Sequence, residues 1–428
     1  MKRYPTYKDS GVKWIGEIPS HWEVAKLKNQ LRLINDKCIP AGMQYIGLEN
    51  IESFTGKYIC SDIKAEGTAN RFEKGDVLIG KLRPYLAKAY KCETNGCCST
   101  ELLVYRSKDH PDFYKYVFLA KPFVDLIDSS TYGSKMPRAN ANFIGSQFLP
   151  IPPLSEQRAI VSLLDSELGK IDTYVEKEKQ LIERLKELKQ SVIARAVTRG
   201  INPDAKMKPS GISWIGEIPQ HWKVKRLSSF FTENSDINTN LKYTEAYKFN
   251  YGSLIRKDEG IDIKDLEDTY KKYTILKDND IVINGLNLNY DFVSQRVAQA
   301  YNKGIITSAY LVLTPRKGVN YSYYCYLFKA MDNMKLFHGM GTGIRLTLSF
   351  RDLKPQSLPV PPTAEQQKIV DYITAATTKI DRLIVEKTYE IEHIKELRQR
   401  LIADAVTGKI DVREPLNKKG AAAATDRE

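Results

Sequence analysis

Ile160, Leu164, Leu168, Ile171, Val175, Ile182, Leu185, Leu188 and Val192 recur at spacings of three, four or seven, and Lys and Glu crowd the positions between them. That period places the apolar residues on one face and predicts a long amphipathic helix. Pro152 and Pro153 prevent it from extending backwards, and Ser155 with Glu156 and Gln157 forms a start signal. Unbroken from Ser155 to Arg199, it would reach on the order of 65 Å. Gly169 inside it costs roughly 1 kcal/mol relative to Ala and admits a local kink.

The pattern returns after Pro361-Pro362 at Ile369, Ile373, Thr377, Ile380, Ile384, Ile391, Ile394, Leu397 and Leu401, each 209 positions after its counterpart. A stripe this long needs a partner of equal length, and the chain supplies one. The two helices are therefore expected to pair antiparallel as a coiled coil about an approximate internal two-fold axis.

The repeat is wider than the helices. LPIPPLSEQRAIV from Leu149 matches LPVPPTAEQQKIV from Leu358, and Leu149–Thr198 shares 22 of 50 positions with its copy. WIGEIPSHW (Trp14–Trp22) returns as WIGEIPQHW (Trp214–Trp222). Between these anchors the copies align only in short islands. KGDVLIGKL, STELLVYR, NDIVINGL and TSAYLVLTP read as buried strands, and DFYKYVFLAKPFVDLI and YSYYCYLFKAMDNM as short helices. The fold class is α+β, two mixed α/β domains separated by the coiled coil. Expected boundaries are 1–150 and 206–359 for the domains, 151–205 and 360–412 for the helices, and 413–428 for a disordered tail, with GINPDAKMKP as linker.

Composition narrows the class. The chain has 428 residues, 42% of them hydrophobic, which suits two globular cores. No apolar run is long enough to span a bilayer and the start lacks a secretory h-region, so a cytoplasmic protein without membrane contact is expected. Lys and Arg outnumber Asp and Glu by 65 to 52, a net charge of +13. That excess favours a polyanionic partner, with a merely basic surface as the bland alternative. Cys92, Cys97, Cys98 and His110 do not have a usual zinc spacing, and no metal or cofactor is expected.

Catalytic signatures are missing: there is no N-P-P-Y or D-P-P-Y tetrapeptide, Walker loop, H-E-x-x-H or G-x-S-x-G. The candidates are binding loops. In the first domain GKLRPYLAKAYK offers Lys81, Arg83, Tyr85 and Lys88, and TYGSKMPRANAN offers Tyr132, Ser134, Lys135, Arg138, Asn140 and Asn142. In the second, NGLNLNYDFVSQR offers Asn284, Asn287, Asn289, Tyr290 and Arg296, while GTGIRLT offers Thr342 and Arg345 at the expected positions of Ser134 and Arg138. Arg and Asn can read guanine and adenine edges in a major groove, and Lys mainly holds phosphate. Each loop could equally be a solvated turn. Trp14, Trp22, Trp214 and Trp222 have two readings, core packing or contact with a partner protein.

The chain resembles the DNA specificity subunits of type I restriction-modification systems. The resemblance rests on SGVKWIGEIPSHW and SGISWIGEIPQHW, on LPIPPLSEQ and LPVPPTAEQ, and on KELKQSVIARAVT and KELRQRLIADAVT. It implies two target recognition domains that read the halves of a bipartite, asymmetric site in double-stranded DNA. It also implies a non-catalytic subunit that docks two modification (methyltransferase) subunits and restriction (endonuclease/translocase) subunits. The rivals are a two-ended protein-binding scaffold and a fusion-type modification enzyme, for whose catalytic domains the chain has no room.

Overall fold

The structure is a computed structural model that describes residues 2–413 apart from 41, 62–66, 134, 258–262, 294 and 344–345. It divides into two compact units, one holding residues up to 179 and again from 388, the other residues 180–387. Each unit therefore contains one globular domain and half of each long helix. The expected tail falls outside the described residues from 414 onward.

In the first unit Leu31–Ile34, Leu102–Ser107, Val77–Gly80 and Ala89–Lys91 form an antiparallel sheet in that order. Val77–Gly80 is buried at every position, as its uninterrupted apolar run requires. The sheet packs on Pro111–Leu119 and Lys121–Ser129. These are two helices where the sequence suggested one. Pro122 cannot donate to the carbonyl four residues back, and the chain breaks at Ala120, which is extended and caps both pieces. A second sheet joins Lys37–Cys38, Ala69–Phe72, Gly96–Cys98 and Tyr45–Ile46, and the free thiols of Cys92 and Cys98 are buried beside it.

The second unit repeats the first sheet with Phe231–Glu233, Leu311–Pro315, Ile281–Ile283 and Val297–Gln299 in the same antiparallel order. Tyr321–Asn333 is the helix behind it. The linker's last residues, Met207–Pro209, pair with Glu217–Pro219 just as Tyr7–Asp9 pairs with Glu17–Pro19. They are thus the first strand of the second copy.

The long helices are Leu154–Arg199 and Thr363–Val406, and the first continues through Gly169. They run antiparallel within each unit. In the first, Arg398 Nη1 bonds Asp172 Oδ1 and Tyr174 Oη donates to Glu390 Oε2 at 2.9 Å. In the second, Lys189 Nζ meets both oxygens of Asp381 at 2.7 Å. One part of the expected stripe is corrected here. Leu188 and Leu397 are 51% and 43% exposed, and the inward positions go to their neighbours Lys189 and Arg398, each paired with an Asp of the other helix.

Ile160, Val161, Leu164 and Leu168 near the start of the first long helix join the first unit's core, together with Ile402, Ala405 and Val406 from the end of the second. Ile193, Ala196 and Val197 with Ile369 and Ile373 do the same in the second unit. Among the described residues, no helix is long and apolar enough to cross a membrane.

Candidate nucleic-acid interface

The candidate loops converge in pairs, one pair per unit. In the first, the chain leaves Val77–Gly80 and turns through Lys81–Ala87, with Arg83 and Ala87 in the left-handed region at φ 49 and 46°. The Tyr132–Arg138 loop lies alongside. Arg83 N donates to Pro137 O at 2.7 Å, Ala139 N to Lys81 O at 2.8 Å, and the second loop closes on itself through Tyr132 and Arg138. Arg138 is held by Glu101 through Nε–Oε2 at 3.1 Å and Nη2–Oε1 at 3.3 Å, which keeps the guanidinium charged and aimed.

Arg83, Tyr85, Tyr132 and Lys135 are exposed around this frame, and Lys81 is half-buried. Asn140 instead caps the helix Ala141–Ser146, accepting from Asn142 N at 2.8 Å. Asn142 is exposed. Ser134 lies outside the described residues.

The second unit builds the same frame. Leu348 N donates to Gly285 O at 2.9 Å, Leu288 N to Leu346 O at 3.2 Å, and Thr342 pairs with Thr347. Gly285 is required because a Cβ there would stand 2.8 Å from Leu348 O. These bonds correct the expected register: Leu346, Thr347 and Leu348 stand 209 residues after Pro137, Arg138 and Ala139, so Thr347, not Arg345, is the counterpart of Arg138. Arg345 itself lies outside the described residues. Asn287 and Tyr290 are exposed, whereas Asn284 and Asn289 are half-buried. Asn284 Oδ1 accepts from Leu286 N at 3.2 Å, and Thr342 is exposed in the facing strand pair.

Two expected contacts prove to be internal supports. Lys88 Nζ donates to Leu48 O at 2.6 Å and Ile51 O at 2.9 Å, and burial lowers its pKa. Arg296 is 1% exposed and its guanidinium donates to the carbonyls of Asn284, Leu286 and Asp291 at 3.0, 2.8 and 2.8 Å. Neither cation is free to reach a duplex in this conformation, and each stiffens a loop that presents others. Sequence inspection missed two features of the second unit. Lys223–Arg226 forms a strand exposed at every position, although its KVKR was visible. Phe292 and Val293 stand 56% and 88% exposed at the loop tip, with Phe292 stacked on His338, a placement no local pattern announces.

The duplicated tryptophans also need correction. Trp22 and Trp222 are fully buried, so contact with a partner is ruled out for their rings in this conformation. Trp22 Nε1 donates to Glu156 Oε2 at 2.9 Å, and Trp222 Nε1 to Glu365 Oε1 at 3.1 Å. Trp14 and Trp214 are half-buried. Trp14 donates to Phe148 O at 3.1 Å and packs edge-on against Phe123. Among the described residues, no group of His, Cys, Asp and Glu side chains could hold a metal ion.

Two α/β domains that share a loop frame and differ in the side chains it carries, with two long helices antiparallel in each unit, define a duplicated specificity-subunit architecture. The profile described as "Type I restriction modification DNA specificity domain" matches residues 19–187 and again 219–393, and the chain belongs to that family. The putative type I restriction enzyme MjaX specificity subunit of Methanocaldococcus jannaschii is 26% identical, covering 95% of this chain and 98% of its own length. The EcoDI specificity subunit of Escherichia coli is 26% identical over 52% of this chain and 48% of its own. A chain solved in a study of complex assembly and conformational transition of the type I R-M system superposes with TM-score 0.70 at 17% identity, covering 92% of this chain and 99% of that one. The HsdS subunit from Thermoanaerobacter tengcongensis gives 0.50 at 17% identity over 92% and 98%.

Proposed function

We propose that this specificity subunit recognises a bipartite, asymmetric DNA target, each unit's loop pair reading one half-site, and that modification and restriction subunits dock on it to supply methyltransfer and cleavage. The observation that carries the reading is the shared backbone frame with unshared side chains. The same hydrogen bonds join the loops in both units, yet one frame offers Arg83, Tyr85, Lys135 and Arg138 and the other Asn287, Tyr290 and Thr347. A frame built twice and furnished differently suits the reading of two different sequences. The net charge of +13 supports a polyanionic partner.

The long helices act as a ruler in this reading. Each contributes its first turns to one core and its last turns to the other, so their length sets the DNA spacer across which both loop pairs engage. Lengthening both helices by one turn should change the preferred spacer and leave the half-sites unchanged. A variant that keeps its spacer and alters its base preference contradicts the ruler.

The rival, a protein-binding scaffold without DNA specificity, is separated by salt. Phosphate contacts make log K fall with log salt at a slope of about −0.9 per contact. Affinity for a split-site duplex that is indifferent to salt would favour the rival.

A further inference from the structure

The ion pair of Asp172 with Arg398 has a twin in Asp381 with Lys189, since each partner stands 209 residues from its counterpart. The twins differ in what reaches them. In the first unit a loop of the globular domain extends to the helices. Lys57 Nζ lies 2.8 Å from Asp172 Oδ2 while Arg398 holds Oδ1, and Gln399 Nε2 donates to Phe54 O at 3.3 Å.

The loop is shaped for that reach. Glu52 N closes on Lys57 O at 2.9 Å and Thr55 Oγ1 donates to Glu52 Oε2 at 2.6 Å. Phe54 takes the left-handed conformation at φ 64°, which a bulky side chain rarely adopts. Beside the loop opens a cleft of about 1770 Å³, lined by Lys121, Asp125, Val175 and Lys179 among others, so the contact crosses a gap. In the second unit, among the described residues, Asp381 pairs with Lys189 at 2.7 Å and no domain residue joins them.

We propose that Lys57 is a positioning residue: the loop Glu52–Lys57 is a strut that fixes the first recognition domain on the helix pair, and so sets how strictly the spacer is enforced. Among the described residues of the second domain, none reaches the twin pair of Asp381 and Lys189 in this way. The proposal rests on the bipartite reading above.

The test uses the full chain with its modification subunits on duplexes carrying the preferred spacer or one base pair more or less. A charge-assisted contact between an exposed lysine and a half-buried carboxylate has the strength to lower the preference for the correct spacer by about two- to fivefold in Lys57→Met. Base discrimination within each half-site should be unchanged, and Lys57→Arg should restore the preference. Lys189→Met, which removes the twin pair without touching a strut, should leave spacer preference intact.

A selective wild type matched by an equally selective Lys57→Met overturns the proposal, as does an equal loss in Lys189→Met. If the wild type shows no spacer preference, it is the bipartite reading that falls. Hydrogen exchange at residues 52–57 then decides the strut without DNA: faster exchange in Lys57→Met supports it and unchanged exchange refutes it.

Discussion

Glu156→Ala should strongly destabilise the first unit. The carboxylate sits in the first turn of the first long helix, where an acidic group is favoured by the helix dipole, and it is 7% exposed. It accepts from Tyr4 Oη at 2.7 Å and Trp22 Nε1 at 2.9 Å, with His21 Nε2 at 2.7 Å. Truncation leaves the Tyr4 hydroxyl and the Trp22 indole N–H buried without an acceptor, each at a cost of about 1–3 kcal/mol. His21 has a side chain 42% exposed and regains water, so its loss counts for little. The sum is about 2–6 kcal/mol, which brackets the ~3–5 kcal/mol typical of breaking a buried charged network. Among the described residues, Glu365 in the second unit accepts from Trp222 at 3.1 Å and pairs with His221 at 2.6 Å, with a side chain 22% exposed and no tyrosine hydroxyl hydrogen-bonded to it. Glu365→Ala should therefore cost less, about 1–3 kcal/mol. Urea unfolding gives the totals, and hydrogen exchange over 14–22 and 214–222 assigns each loss to its unit. A Glu156→Ala protein within 1 kcal/mol of wild type, or a loss spread evenly over both units, would show that the carboxylate is not what fastens the motif to the helix.

Other expectations follow from the same geometry. Burial alone would raise the Asp172 carboxyl, but hydrogen bonds from Lys57 and Arg398 outweigh it and hold the pKa below its usual value. A depressed carboxylate contributes stability above its unfolded pKa of about 3.9 and loses it as pH falls through the folded value. Exchange protection at residues 52–57 should thus hold from neutral pH downward and collapse only in acid, a dependence absent from Asp172→Asn. Gly408→Ala should destabilise more than Gly200→Ala: both take left-handed φ, at 77 and 75°, but a Cβ on Gly408 would stand 2.3 Å from the Pro19 ring, against 3.3 Å from its nearest neighbour on Gly200. Equal shifts in melting temperature would refute that difference. Lys135→Ala should weaken DNA binding across all sequences and flatten the salt slope by about 1. Arg138→Ala should relax discrimination in one half-site only, and a uniform loss in a binding series would refute that local role.

The sequence made the scaffold legible because its signals are periodic and duplicated. The helix stripes, the proline stops, the strand runs and the shared anchors all depend on local spacing, and each appears twice. What stayed hidden depends on a third dimension. Nothing in GKLRPYLAKAYK says that Lys88 folds back onto two carbonyls while Arg83 stays exposed, nor in NYDFVSQR that Arg296 is enclosed by its own loop. The exchange of Leu188 for Lys189 at the helix interface was also out of reach. A stripe read by hydropathy always prefers the leucine, and only the Asp on the facing helix gives the lysine a reason to turn inward. The misplaced counterpart of Arg138 has a related cause. Thr342 to Thr347 is one residue shorter than Tyr132 to Arg138, and alignment from the glycines forward shifts what alignment from the helix backward keeps in place.

The repeated nine residues have a physical reason to remain alike that the loops lack. In the first unit the Trp14–Trp22 segment meets the start of one long helix through Glu156 and the end of the other through Gly408, whose carbonyl accepts from Tyr7 Oη at 3.1 Å. In the second unit Trp214–Trp222 meets Glu365 at the start of the second helix, and Trp222 packs within 3.3 Å of a Cβ position on Gly200 at the end of the first. Each segment must therefore fit two helix termini at once, and each terminus belongs to a helix that also serves the other core. A change in either segment disturbs a terminus it shares, so few substitutions are neutral. The paired loops answer only to backbone bonds such as Ala139 N to Lys81 O and Leu348 N to Gly285 O. Those bonds constrain where the chain goes and leave most of the side chains free to differ. Rigid sockets joined to chemically free loops allow one scaffold to exchange the side chains its loops present without refolding, which is the property the proposed reading requires.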